Sequence, residues 1–103
     1  MIYQVSSMIL QPGKRAAFIE IEKDLCSLEE KYGMKVIGSW FNLYGDVNEI
    51  THIVACEDIA HLEKYSMAMT QDKEWSVVSQ KIASLSSSHS RKLMMPMPGS
   101  PMK

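Results

Sequence analysis

Met34-Lys35-Val36-Ile37-Gly38-Ser39-Trp40-Phe41-Asn42-Leu43-Tyr44-Gly45-Asp46-Val47-Asn48-Glu49-Ile50-Thr51-His52-Ile53-Val54-Ala55-Cys56-Glu57 is the stretch on which the fold turns. Residues 34–44 are rich in Val, Ile, Trp, Phe and Tyr, residues 49–57 form a second apolar run, and Gly45-Asp46-Val47-Asn48 between them is turn chemistry. The segment therefore reads as a β-hairpin. With Asp46 and Val47 as the two turn residues, Phe41 opposes His52. One face then carries Ile37, Ser39, Phe41, Leu43, Ile50, His52, Val54 and Cys56, and the other Val36, Gly38, Trp40, Asn42, Tyr44, Thr51, Ile53 and Ala55. A sheet with helices on one side should alternate apolar and polar. Neither face here is polar enough for open water. Helices cover one; a second copy of the same sheet is the economical cover for the other, because most soluble oligomers are symmetric homo-oligomers. The hairpin thus predicts a homodimer in which two sheets meet face to face as an α+β barrel.

On the N-terminal side, residues 2–10 read as a strand, stopped by Gln11-Pro12-Gly13. In 14–32, Phe18, Ile21, Leu25, Leu28 and Tyr32 recur at helical spacing, with Glu22, Lys23, Glu29, Glu30 and Lys31 off that stripe. Gly33 follows as a left-handed cap. On the C-terminal side, Asp58 caps a predicted helix over 59–70 carrying Ile59, Leu62, Tyr65 and Met69, and Asp72 caps a further one through Trp75, Val78 and Ile82. Residues 84–94 complete the pattern as a last strand of poor propensity, since Ser86-Ser87-Ser88-His89-Ser90 favours no strand. The order β-α-β-β-α-(α)-β is the α+β, ferredoxin-like split βαβ pattern, with an antiparallel sheet ordered 4-1-3-2. Residues 1–94 form its single domain; 95–103, with Pro96, Pro98 and Pro101, is an arm that can be neither helix nor central strand.

Composition narrows the function classes. At 103 residues the chain is one domain that buries roughly two-thirds of its unfolded surface. With 46% hydrophobic and 22% charged residues it falls outside the disordered class. No apolar run approaches a membrane span, and Met1-Ile2-Tyr3-Gln4 lacks the basic start of a secretion signal. Cys26 and Cys56 lie far apart without a Cys-x-x-Cys, which reads as buried thiols in a reducing, cytoplasmic setting. Residues 1–74 hold all twelve acids and seven bases, net −5; residues 75–103 hold Lys81, Arg91, Lys92 and Lys103 and no acid, net +4. Four scattered bases do not make a nucleic-acid surface. They are expected to lie against the acid-rich remainder of their own chain or a partner's.

The sequence resembles the NIPSNAP family of the dimeric α+β barrel superfamily over nearly its whole length. The resemblance is carried by the first strand opening on Tyr3 and ending in Leu10-Gln11-Pro12-Gly13, by Gly38-Ser39-Trp40, by Gly45 and Asn48-Glu49-Ile50-Thr51-His52-Ile53, by Asp72-Lys73-Glu74-Trp75, and by Ser90-Arg91-Lys92-Leu93 through Pro96-Met97-Pro98-Gly99-Ser100-Pro101. Gln4 stands where the family usually has an acid, and Val54-Ala55-Cys56 lacks aromatics often found there. If those aromatics line a pocket in relatives, this pocket is wider or differently shaped. The resemblance implies a homodimer whose C-terminal arm lies on the partner. It implies no settled chemistry, since relatives with this barrel include cofactor-independent mono-oxygenases, haem-degrading enzymes and stress proteins.

Among the residues themselves His52 is the foremost candidate, a general base or ligand placed mid-strand, against the plainer reading of a histidine bonded to backbone or to Ser39. Trp40 and Asn42 could floor a pocket for a flat ligand, with Trp40 filling the dimer interface as the structural alternative. Tyr3, Tyr65 and Trp75 could close the same cavity, and Arg91 could bind a carboxylate, unless it forms an interchain salt bridge. Cys56, Asp58 and His61 are metal-capable types, but Asp58 is better spent as a cap; no metal and no cofactor is assigned. No phosphate loop, paired-carboxylate site or nucleophilic triad is legible. The function expected is a homodimer binding a small apolar or aromatic ligand or a protein partner; the alternative is a cofactor-independent mono-oxygenase or related enzyme in which Trp40 and Asn42 position a flat substrate and His52 moves a proton.

Overall fold

Alternation along the first strand places Ile2, Ser6, Met8 and Leu10 on a buried side, and that strand becomes the inner scaffold of everything else. The computed structural model describes residues 1–102. Its elements are β1 (Ile2–Leu10), α1 (Arg15–Lys31), β2 (Lys35–Phe41), β3 (Glu49–Cys56), α2 (Ile59–Thr70), α3 (Lys73–Leu85) and β4 (Ser86–Met94). All pairings are antiparallel and the order is β2-β3-β1-β4, the ferredoxin-like arrangement expected from the element order. The three helices lie over one face of the sheet. Beyond Met94, residues 95–102 carry no helix or strand.

The stripe on α1 is buried as its spacing requires, with Phe18, Ile21, Leu25 and Leu28 against Met8, Leu10, Ile50 and Val54 of the sheet. A side chain such as Phe18, 1% exposed, contributes ~1.5–3 kcal/mol by leaving water. The helix ends because Gly33 adopts φ +90°, letting its N–H reach the Glu30 carbonyl at 3.0 Å and the Met34 N–H reach the Glu29 carbonyl at 3.0 Å. This is a Schellman closure, with Met34 buried behind it. The stripe on α2 is narrower than its spacing implies: Tyr65 and Met69 are buried, whereas Ile59 stays exposed.

The hairpin differs from its sequence reading in three respects. β2 stops at Phe41 instead of running to residue 44, and 42–48 form the connection, leaving Leu43 and Tyr44 exposed. The cause is side-chain competition for backbone groups. Asn42 Nδ2 donates to the Asp46 carbonyl at 2.9 Å and to Glu49 Oε1 at 3.0 Å, and the Asp46 carboxylate accepts from the Asn48 N–H at 2.9 Å. Consequently Phe41 pairs with Ile50, and His52 pairs with Ser39 rather than Phe41. The slip is two residues, so side-chain parity survives. Lastly, a bulge between Val36 and Gly38 turns Val36 toward the helices opposite Val54, while Ile37 becomes partly exposed. Gly38 leaves room there for the Trp40 ring, which a Cβ would meet at 3.1 Å and push aside by a few tenths of an ångström.

β4 forms despite its serines because β1 offers it a full ladder, from Tyr3↔Met94 to Leu10↔Ser86. It is an edge strand, so little of it needs to be apolar. The helical layer is tied at one end by Asp72, which caps α3 through the N–H groups of Glu74 (2.7 Å) and Trp75 (3.3 Å). The same carboxylate accepts from the Tyr32 hydroxyl and from Lys31 Nζ at 3.1 Å. These bonds, that from Tyr32 foremost, hold the Asp72 carboxyl down at about 2. A depressed carboxyl stabilises the fold above its unfolded value, ~3.9, and that contribution fades as pH falls toward 2. Asp72→Asn keeps a capping oxygen and removes the charge. Its melting temperature is expected several degrees below the parent's at pH 7, with the gap closing between pH 4 and 2, as read by thermal denaturation across that range.

Candidate functional site

One row of residues crosses the helix-covered face of all four strands: Ser39 on β2, His52 on β3, Ser6 on β1 and Arg91 on β4. The flanking rows are mainly apolar, with Ile50 beside Met8 on one side and Val36 beside Val54 on the other. A polar row under helices leaves two problems: polar atoms without water, and too little volume where serine stands. Both are resolved locally.

Glu29 of α1 reaches down to His52. Its Oε1 lies 2.7 Å from His52 Nε2, and the Ser39 hydroxyl lies 2.6 Å from His52 Nδ1. His52 is 3% and Glu29 5% exposed. A carboxylate can only accept, so the imidazole donates from Nε2 to Glu29, while the Ser39 hydroxyl, donor and acceptor both, pairs with Nδ1. The chain Ser39–His52–Glu29 is thereby fully paired.

At Ser6 the missing volume becomes a cleft of about 220 Å³ between the sheet, α1, α2 and α3. Glu29 and His52 line one side, Arg91 and His89 the β4 side, and Tyr65 and Trp75 the helical wall. Burial, helped by the nearby Glu29 charge, pushes the Tyr65 phenol far above its ordinary value, with Arg91 opposing; near neutral pH it is an uncharged O–H. Arg91 has no carboxylate within salt-bridge distance among the described residues, where the close acid–base contacts are Lys31–Asp72 and His52–Glu29. The expected pairing of the C-terminal bases with the acid-rich part of the same chain is therefore not seen for Lys81, Arg91 or Lys92.

Of the residues singled out from the sequence, the fold brings His52, Tyr65, Trp75 and Arg91 together on this cleft. It sets three others apart. Tyr3, opposite Ala55, and Trp40, opposite Thr51, alternate with the cleft row and so project from the other face of the sheet, where Trp40 is 49% exposed. Asn42 is engaged in the β2–β3 connection. His61 is likewise spent locally: its N–H meets Asp58 Oδ1 at 2.8 Å and its Nδ1 accepts from the Glu57 N–H at 3.2 Å. Among the described residues no three His, Cys, Asp or Glu side chains converge as metal ligands do, and no helix is long and apolar enough to cross a membrane.

Glu29, Ser6 and His89 are among the cleft residues that the sequence patterns do not single out. Glu29 was assigned to the polar side of α1, and its burial corrects that assignment. A signal existed: Ile21, Leu25 and Glu29 form one i, i+4 row, so Glu29 shares the edge of the buried stripe.

This architecture defines a class first. A putative antibiotic biosynthesis monooxygenase from Nitrosomonas europaea superposes with TM-score 0.73 at 9% identity, covering 94% of this chain and 99% of that one. At that identity the likeness is one of fold. The family is settled by sequence: the NIPSNAP profile matches residues 3–101, and the chain belongs to the NIPSNAP family. Its relatives of known structure include Atu4242 from Agrobacterium tumefaciens, a NIPSNAP family protein with unknown function. Atu4242 is 25% identical over 100% of both chains, with TM-score 0.88. An uncharacterized NIPSNAP domain protein from Burkholderia xenovorans is 19% identical over 98% of this chain and 99% of that one, also with TM-score 0.88. No curated protein matches the chain.

Proposed function

We propose that this NIPSNAP-family chain acts as a homodimer whose cleft binds a small aromatic or apolar ligand. The observation that carries the reading is the cleft at Ser6, a void of about 220 Å³ that opens onto the buried His52–Glu29 pair. Ordinary cores are packed near crystal density. Here the packing gives way to a cleft whose rim residues Ser66, Thr70, His89 and Arg91 are exposed, so a ligand can enter it from solvent and reach the buried pair. The cleft's size suits a single ring rather than a large cofactor: engineered cavities of ~150 Å³ already admit benzene. Dimerisation is supported by the other face of the sheet, which no helix covers and where Tyr3, Val5, Ile9, Ile53, Trp40 and Met94 present apolar surface among the polar Ser7, Thr51, Glu49 and Lys92. The arm from Met95 onward is part of the same proposal: Met95, Met97 and Met102 are about three-quarters exposed on the single chain, and a partner subunit would cover them.

The two tryptophans make the ligand reading testable, because Trp75 lines the cleft and Trp40 does not. In a Trp40→Phe background, titration with phenol is expected to change Trp75 emission saturably. Adding Ser6→Leu, which fills the gap between His52 and Arg91, should weaken that response at least tenfold while far-UV circular dichroism stays the same. An undiminished response in the Leu variant would place the ligand elsewhere.

A further inference from the structure

We propose that the cleft selects a small aromatic acid, one planar ring whose carboxylate meets Arg91 and whose hydroxyl or amine donates to Glu29. The inference rests on the binding reading above and adds the chemical class of the ligand.

The first argument is charge. Arg91 brings an unpaired guanidinium to the cleft, with no carboxylate of the described residues near enough to neutralise it. A guanidinium is built to receive a carboxylate through two parallel N–H groups. Lys92, the next residue, pairs with Val5 and by alternation points to the opposite face, so it adds no second charge from the strand. One cation facing the cleft matches a monoanion better than a phosphate dianion.

The second argument is the other end. Glu29 uses Oε1 on His52 and lines the cleft. A carboxylate there rejects a second anion and attracts a donor. Tyr65, held as a neutral O–H between the fields of Glu29 and Arg91, supplies a hydrogen-bonding wall compatible with either end.

Length and shape supply the third argument. His52 and Arg91 each sit one strand away from Ser6, so their backbones are about 10 Å apart at the usual strand spacing of ~4.8 Å. That width admits one planar ring over Ser6, between the two flanking strands. Met8, Leu25, Met69 and Trp75 provide the apolar walls.

The test uses three probes on the Trp40→Phe protein, read by Trp75 emission and by calorimetry: 4-hydroxybenzoate, its neutral counterpart 4-hydroxybenzyl alcohol, and benzoate. 4-Hydroxybenzoate is expected to bind at least tenfold more tightly than either of the others. Arg91→Gln, an edge-strand change that leaves the core untouched, should bring the acid down to the level of the alcohol and leave the alcohol unaffected. If the alcohol binds as well as the acid, or the preference survives Arg91→Gln, the charge assignment is overturned while the cleft reading stands. If benzoate equals 4-hydroxybenzoate, the role of Glu29 is overturned. If none of the three, nor phenol, binds at millimolar concentration, the cleft reading falls and this inference with it.

Discussion

Ile53→Lys is expected to turn the proposed dimer into a folded monomer. Ile53 pairs with Val5 at the middle of the sheet, and both alternate with the cleft row, so their side chains stand at the centre of the face without helices. On a monomer that position is partly exposed, and a lysine there can extend its ammonium into water. Between two apposed sheets the same ammonium would be desolvated without a partner, at a cost of several kcal/mol. A loss of ~3 kcal/mol is more than a hundredfold in the dimer dissociation constant. Sedimentation velocity at micromolar concentration would show the wild-type chain with the mass of two copies and the variant with that of one, with unchanged circular dichroism. A variant that stays dimeric with the same dissociation constant would show that this face is not the interface.

The second large effect concerns the buried pair beneath the cleft. His52→Ala leaves Glu29 without its donor in a site 5% exposed. Removing one member of a buried pair costs ~3–5 kcal/mol, and the lost ring volume adds to this. At roughly 4–8 °C per kcal/mol for a domain of this size, the melting temperature should fall by more than about 12 °C. The double variant Glu29→Met/His52→Leu replaces both partners by apolar groups of similar volume, and such exchanges are commonly neutral or stabilising. It should recover most of the lost stability in urea and thermal denaturation, yet fail to regain phenol binding measured through Trp75. Recovery of both would make the pair packing and nothing more. Recovery of stability alone assigns it to the ligand.

Local signals carried much of this fold in the sequence. Phe18, Ile21, Leu25 and Leu28 mark a helix face by spacing alone, and Asp58, Asp72 and Gly33 punctuate helices through bonds to residues within a turn of themselves. The candidate site was legible in half. His52, Tyr65, Trp75 and Arg91 meet on the cleft, as side-chain parity on two of the strands and the stripes of two helices allow. The same parity sends Tyr3 and Trp40 to the opposite face, and grouping all of these aromatics around one cavity treated as one what the sheet divides in two.

What remained was decided by contacts between residues distant in the chain. Glu29 looks like a solvated helix residue until His52, on a strand 23 positions later, provides the donor that makes its burial affordable. The weak run Ser86–Ser90 becomes a strand because β1 supplies its partners, irrespective of its own propensity. The β2–β3 register was set by the Asn42 and Asp46 side chains bonding backbone groups of the connection and by Glu49 accepting from Asn42, an energy difference of one or two hydrogen bonds that no periodicity records. Sequence alone therefore determined the elements, their order and the surplus of apolar surface on the sheet, because each depends on near neighbours and alternation. Only the tertiary structure decided which polar residues share a row, because that follows from register across four strands, and from the row comes the cleft.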